Sequence, residues 1–356
     1  MENWLSDWQT DVALAGCGSC DWLYVLPPSR LPECCPHCGA AALAALDETA
    51  NKPVYTHPPE LVLPFQVDSR QAQQKLLAFA KSAWFAPADL RGERLNGRLQ
   101  PLYLPLWLVD ADVQAQWQAE MGFDYQVVSH QEEYQNNRWH TRQVKETRIR
   151  WEPRVGTLQR HYDNQVAPAL EEQAAIEKQV GRFDRQSARP YQPDVLTRAF
   201  ARLPNRPPDD AFPDAQIALM QAARDECRQA AAANHIRQYH WQPHFTNTHW
   251  TQLLYPIYTT YYMDDNGKTH TLTIHGQTGR LVGRRLASMK KARRGSLAIG
   301  AVAAALFIVS FILLLAGLVY EVALAMAGLL FVVAVVTAVA AFIPILVAWY
   351  LNHHSK

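Results

Sequence analysis

The chain has 356 residues, with 34 Lys and Arg against 33 Asp and Glu, and 49% of its residues are hydrophobic. That length suits two or three domains of ordinary size, and a formal net charge of +1 argues against a large nucleic-acid-binding face. The charge is uneven. Seven basic residues and no acid lie between Arg280 and Arg294, directly before an apolar block, Leu297 to Leu351, that holds one acid (Glu321) and no Lys or Arg.

In chain order, the first twenty residues contain Glu2, Asp7 and Asp11 and no apolar run of leader type, so the soluble part is expected in the cytoplasm. Five of six cysteines follow within 22 residues. Cys17-Gly-Ser-Cys20 and Cys35-Pro-His-Cys38-Gly39 are two C-x-x-C knuckles with 14 residues between them. Each can present two sulfurs to one metal, and four thiolates close a tetrahedral site that favours Zn2+. Between them Trp22 to Leu26 reads as a strand and Pro27 to Arg30 as a turn, the layout of a zinc ribbon. Disulfides compete with this reading but are disfavoured in a reducing cytoplasm, and a rubredoxin-like iron site uses similar ligands. Cys34 can exchange with Cys35 as a ligand; Cys35 keeps the C-P-x-C-G form. His37 reads as an exposed turn residue and Cys227 as a lone thiol on a helix. A closed four-thiolate site staples a fold and performs no reaction.

The stretch 51–65 is Pro-rich and reads as a linker. Asp68 is placed to cap a helix from Ser69 to about Trp84. Tyr103 to Glu120 alternates, with Trp107, Val109, Ala111, Val113, Ala115 and Trp117 on one side and Asp110, Asp112, Gln114, Gln116 and Gln118 on the other, which predicts a long half-exposed strand. Further strands are predicted at Gln143–Trp151 and Thr157–Tyr162. Helices follow near Pro168–Gln179 and Asp214–His235, separated by a break at Pro204–Pro213. Strands near Trp250–Met263 and Lys268–His275 flank the turn Asp264-Asp265-Asn266-Gly267, a strong hairpin signal. Leu102-Tyr-Leu-Pro-Leu-Trp107 echoes Leu253-Leu-Tyr-Pro-Ile-Tyr258, which suggests two related α+β units.

The apolar block is too long for one crossing: 55 residues make a helix of roughly 80 Å, against a hydrocarbon core of about 30 Å. It should turn at Tyr320-Glu321, giving spans near Leu297–Val319 and Val322–Leu351, the second either tilting or bending near Pro344. Trp349 and Tyr350 suit an interfacial belt. The basic cluster before the first span predicts that both termini are cytoplasmic. The expected fold is thus α+β: zinc ribbon 1–50, linker 51–65, cytoplasmic α+β domain 66–295 and transmembrane hairpin 296–356. Small-residue spacing at Ala301/Ala305 and Ala323/Ala327 is compatible with homo-oligomerisation.

The ribbon, the segment Leu104-Pro-Leu-Trp-Leu-Val-Asp110, the turn Gly276-Gln-Thr-Gly279-x-x-x-Gly283 and the C-terminal spans occur together. In this the chain resembles bacterial zinc-ribbon membrane proteins, some known as primosomal-helicase-like. Members of that group are similar to companions of SPFH-type and phage-shock-type membrane-stress proteins, which implies a scaffold or adaptor with such partners. A helicase activity is not implied, because no G-x-x-x-x-G-K-[ST] loop is present.

No other catalytic fingerprint occurs. His235, His240, His244 and His249 form the one suggestive group, and Asp110 with Asp112 offers a carboxylate pair on one strand face. Two function classes follow: a non-enzymatic membrane adaptor that recruits protein partners, and a membrane-tethered enzyme or transport accessory using the His235–His249 region. Nucleic-acid binding is the weaker expectation, since the basic residues lie beside the bilayer, where anionic lipid explains them.

Overall fold

The computed structural model describes residues 4–39, 42–47, 53–82, 84–135, 138–316, 318 and 320–354. Near the N-terminus β1 (Ala13–Cys17) pairs antiparallel with β2 (Leu23–Leu26) on one side and with β3 (Leu43–Ala45) on the other. The segment expected to be a bare linker contributes β4 (Leu61–Val62). Then come α1 (Ser69–Lys81) and the short α2 (Gly92–Gly97). The start of α1 is fixed by a reciprocal capping box: Asp68 Oδ1 accepts from Gln71 N at 2.7 Å, and Gln71 Oε1 accepts from Asp68 N at 3.2 Å. It ends at Ser82, before Trp84, with the Ser82 hydroxyl donating to the Phe79 carbonyl.

Two long strands follow, β5 (Gln100–Gln135) and β6 (Arg138–Ala167), one hairpin paired from Trp107↔Ala167 to Gln135↔Arg138 with a single register shift between Val109 and Ala111. The sequence predicted a shorter β5 and two strands in place of β6. Pro153 and Gly156, which fall between the two predicted strands, both lie inside the ladder. β6 pairs only with β5 among the described strands, and on an edge strand a missing N–H is tolerated. Gly156 makes room for the Trp117 ring, which would stand 2.9 Å from an added Cβ.

Next are α3 (Gln173–Val180), β7 (Arg189–Pro190), β8 (Phe200–Arg202) and α4 (Pro208–Ala230). The break expected at 204–213 is shorter than the sequence suggested. Pro208 opens α4 at the first helical position, where its missing N–H costs nothing, and Pro213 falls within the second turn. The helix also stops at Ala230, so His235 is not its end. It begins β9 (His235–Met263), which is followed by β10 (Thr269–His275) and β11 (Leu281–Gly283).

These strands make one sheet, in the order β11-β10-β9-β5-β8-β2-β1-β3. The strands around the two cysteine knuckles, β1, β2 and β3, are therefore part of the main sheet, joined through the β2–β8 pairing Tyr24↔Arg202 and Val25↔Ala201. The internal echo has a geometric counterpart. Leu104 pairs antiparallel with Tyr255, the residue it matches in the echo, so a local two-fold relates β5 to β9 there. β8 lies parallel to β5 at Leu102 and Tyr103, and β4 lies parallel to β9 at the matching Leu253 and Leu254. Each half is thus strand–helix–hairpin: β4-α1-β5-β6 and β8-α4-β9-β10. The helices are exchanged. Ala72, Leu76 and Phe79 of α1 pack on Tyr258, Tyr262, Leu272 and Ile274, strands of the other half. Ala211, Ala215, Leu219, Ala223 and Cys227 of α4 lie along β5 and β6. Their four-residue spacing makes one stripe, and its small side chains let the helix lie close to the sheet.

The predicted faces of β5 hold. Val109, Ala111 and Val113 are fully buried beneath α4, while Gln114, Gln116 and Gln118 are exposed on the open side. Beyond Gly122, which pairs with His235 at the start of β9, β5 and β6 continue as a two-stranded arm over 123–135 and 138–150.

The apolar block forms α5 (Met289–Ala316), α6 (Glu321–Ala340) and α7 (Ile343–His354). Two stretches, Met289–Ala316 and Val322–His354, are long and apolar enough to cross a membrane, and both are largely unburied. The turn falls at Tyr320-Glu321 as predicted, and the second stretch breaks just before Pro344. α5 begins well before Leu297, so Lys290, Lys291, Arg293 and Arg294 ride on its first turns. The seam between α5 and α6 uses Ala303, Ser310, Ala327 and Ala334, with the Ser310 hydroxyl donating to the Ala327 carbonyl at 2.8 Å. Ala301 and Ala305 face outward, away from that seam.

Candidate functional site: a four-cysteine centre

The sulfurs of Cys17, Cys20, Cys35 and Cys38 all lie within 4.8 Å of one another. The Cys17–Cys38 and Cys20–Cys35 separations are 3.6 and 3.7 Å. Four sulfurs placed about 2.3 Å from a tetrahedral metal stand about 3.8 Å apart, whereas a disulfide needs about 2.05 Å. All six cysteines are free. Donor set and spacing therefore fit a metal ion, and the predicted ligands are the ones brought together. Cys34 lies outside the cluster, against Tyr261.

Local geometry explains the convergence. Asp21 N donates to the Cys17 carbonyl and Gly39 N to the Cys35 carbonyl, closing the two knuckles. Gly39 sits at φ +62°, and a Cβ there would fall 2.6 Å from Thr269 Cγ2, so the second knuckle requires glycine on both counts. The Thr259 hydroxyl donates to the Pro36 carbonyl at 2.6 Å and ties that knuckle to β9. Two donors address one sulfur: His37 N lies 3.4 Å and the Tyr24 hydroxyl 3.3 Å from Cys35 Sγ. Burial raises the Cys20 and Cys35 thiols, while at Cys17 burial is outweighed by the backbone N–H groups of Ser19 and Cys20, which hold it down. A cation held by the four sulfurs would supply the charge compensation that buried thiolates need.

Behind the centre lies a group the sequence did not reveal. Arg202 is 2% exposed, its guanidinium 3.3 Å from the centre of the Trp22 ring, and it pairs with Glu172. His37 stacks on the same indole at 3.5 Å. It is half-buried, contrary to its reading as an exposed turn residue, and burial with the Arg202 charge pushes its pKa down to about 4. Nothing local in Phe200-Ala-Arg-Leu203 signals that role, which depends on β8 pairing with β2 across nearly 180 residues.

The other candidates are not gathered. His235, His240, His244 and His249 are strung along an exposed strand opposite Gly122, Gln118, Gln114 and Asp110. His235 pairs with Asp124, and among the described residues only the four cysteines form a group able to hold a metal. Asp110 and Asp112 serve the sheet's bulges. Asp110 Oδ1 accepts from Asn164 N, and Asp112 accepts from Asn247 Nδ2 at 2.6 Å and bonds His161 Nδ1 at 2.6 Å. Asn164 and Asn247 each adopt positive φ where the register shifts. The Asn247 and His161 bonds hold the exposed Asp112 carboxyl below its usual range. Cys227 is buried on α4 as a lone thiol, 3.9 Å from the Tyr239 hydroxyl.

No family model, curated protein or solved structure matches the chain.

Proposed function

We propose that the chain is a membrane-anchored zinc-ribbon scaffold that holds protein partners at a distance from the bilayer. The observation that carries this is the placement of its two ends. The β9–β10 turn is joined to the apolar helices: Asp265 Oδ2 accepts from the Ser288 hydroxyl and from Lys290 N, and Asn352 both donates to and accepts from the backbone of Ala287. Gln100 pairs with Thr259 beside that turn, and from there β5 runs away for 36 residues, a contour of roughly 120 Å. Its last third, with β6, is the arm, which exposes Tyr125, Val128, Trp139 and Ile149. Exposed apolar side chains on a projecting ladder suit docking of another protein.

Zinc is the ion of choice for four thiolates in a closed site, where it would tie the two knuckles to each other. The proposed location is the cytoplasmic membrane, supported by the two long apolar helices, and the basic turns opening α5 favour cytoplasmic termini by the positive-inside rule. SPFH-type and phage-shock-type proteins are the proposed partners, on the resemblance alone, and self-association through the outward faces of the spans is compatible with this role. Nucleic acid is not a proposed partner. The alternative of an enzyme or transport accessory loses its geometric basis with the dispersal of the four histidines.

The test replaces residues 124–149 with a two-residue turn. The variant is expected to stay in the membrane and keep its metal while a partner bound by the full chain is released to the soluble fraction. Retention of the same partner by the armless variant contradicts the proposal.

A further inference from the structure

A cleft of about 830 Å3 opens between α1, β11 and the last turns of α7. Lys75, Arg285 and His354 line it with Phe79, Ser82 and Tyr350, and no carboxylate is among its described lining residues. The two strongest cations are laid in place. Gly279, at φ +69°, has no Cβ, and one there would fall 2.5 Å from Lys75 Cε, so the lysine stem crosses the turn where only glycine leaves room. The Arg285 guanidinium lies over the Phe79 ring at 4.6 Å.

Two helices, α1 and α7, end here, and bare C-terminal carbonyls repel an anion. These carbonyls are partly covered: the Ser82 hydroxyl donates to Phe79 O, and the His353 and His354 rings lie 2.9 and 3.1 Å from Trp349 O and Tyr350 O. The cleft therefore presents cations on one wall and, on the α7 side, an apolar helix whose Ile343, Leu346 and Tyr350 side chains are exposed.

We propose that this cleft binds the phosphate headgroup of an anionic phospholipid, with Lys75 and Arg285 as counter-charges and the acyl chains running down α7. This rests on the apolar helices being membrane spans, which sets the cleft at the level where α7 leaves the hydrocarbon. Cationic side chains at that level attract anionic lipid, and a cleft that also offers apolar surface selects a lipid over free phosphate.

The test uses the full chain in detergent, titrated with phosphatidylglycerol, phosphatidylcholine or inorganic phosphate and read by native mass spectrometry. One phosphatidylglycerol should be retained in preference to phosphatidylcholine. The double change Lys75→Gln and Arg285→Gln should weaken it by roughly tenfold to thirtyfold. Lys75→Arg with Arg285→Lys should keep most of the binding, and Arg293→Gln with Arg294→Gln, outside the cleft, should leave it nearly unchanged. Equal retention of both lipids, an unchanged affinity in the double variant, or displacement of the lipid by inorganic phosphate at matched concentration overturns the proposal. Alkaline carbonate extraction separates the two levels. A chain that is extracted fails as a membrane protein and takes this site with it; a chain that resists extraction yet shows no lipid preference fails only here.

Discussion

The two hairpins of the sheet, β9–β10 and β5–β6, grow from matching positions on either side of a local two-fold and end in opposite ways. β9–β10 closes at Asp264–Gly267, where Gly267 takes φ +79° and Asp264 bonds Lys268 across the turn. Its tip is occupied, since Asp265 bonds the start of α5. β5–β6 runs on past the end of α4 and past the start of β9 until it has no covering layer. One scaffold unit thus gives a fastened end when short and a reaching end when long. Burial separates the two: Tyr262 and Leu272 on the short hairpin are fully buried, whereas Tyr125 and Trp139 on the long one are exposed.

Metal removal is expected to produce the largest effect, and it should not discriminate between the hairpins. The four-cysteine segment shares a core with Leu102, Leu104, Phe200 and Tyr255 at the two-fold itself. Chelation, or Cys35→Ser, should therefore cost the whole sheet its cooperative transition, by several kcal/mol or more. Metal analysis should find about one zinc per chain. A thermal transition that survives chelation unchanged would make the ribbon a detachable bead.

Acid should discriminate. Burial favours protonation of Asp89, but Arg98, Arg94 and Met263 N outweigh it and lower its pKa from 3.8 to about 2. A folded-state pKa below the unfolded value stabilises at neutral pH, and that stability drains as pH falls from about 4 towards 2, by roughly 2 kcal/mol in all. Because the carboxylate holds the end of β9, amide exchange in Thr260–Met263 should accelerate in that window ahead of Leu104–Val113. Asp89→Asn should remove most of this pH dependence.

How much of this the sequence showed depends on the range of the interaction. The knuckles, the Asp68 cap, the Asp264–Gly267 turn and the Tyr320-Glu321 break are local, and each was legible. The alternation of Trp107 to Trp117 gave the faces of β5 correctly, because a helix covers one side and water the other. The length of β6 was not legible, since Gly156 and Pro153 normally end strands and are tolerated here by an open edge and an overlying indole. His235 to His249 gave no strand pattern because both faces of that stretch are half wet and two bulges shift its register. Arg202 was missed because its partners, Trp22 and Glu172, arrive from two other elements.

A smaller effect is expected at the fastened tip. Asp265→Ala removes two bonds at the start of α5 and should cost about 1 kcal/mol, the usual value of a helix cap. Deuterium uptake should rise in 264–268 and 286–292 and stay unchanged in the arm. The arm deletion should have the smallest effect on stability, within about 0.5 kcal/mol, because the arm adds little to the core. A strongly destabilised armless variant would mean that the long hairpin is structural after all.

The most direct measurement places one fluorescent amino acid at Ser129 in the arm or at Lys268 in the short turn, in full chains reconstituted into vesicles with acceptor-labelled lipid. The account predicts strong energy transfer at Lys268 and almost none at Ser129; comparable transfer at both positions would contradict it.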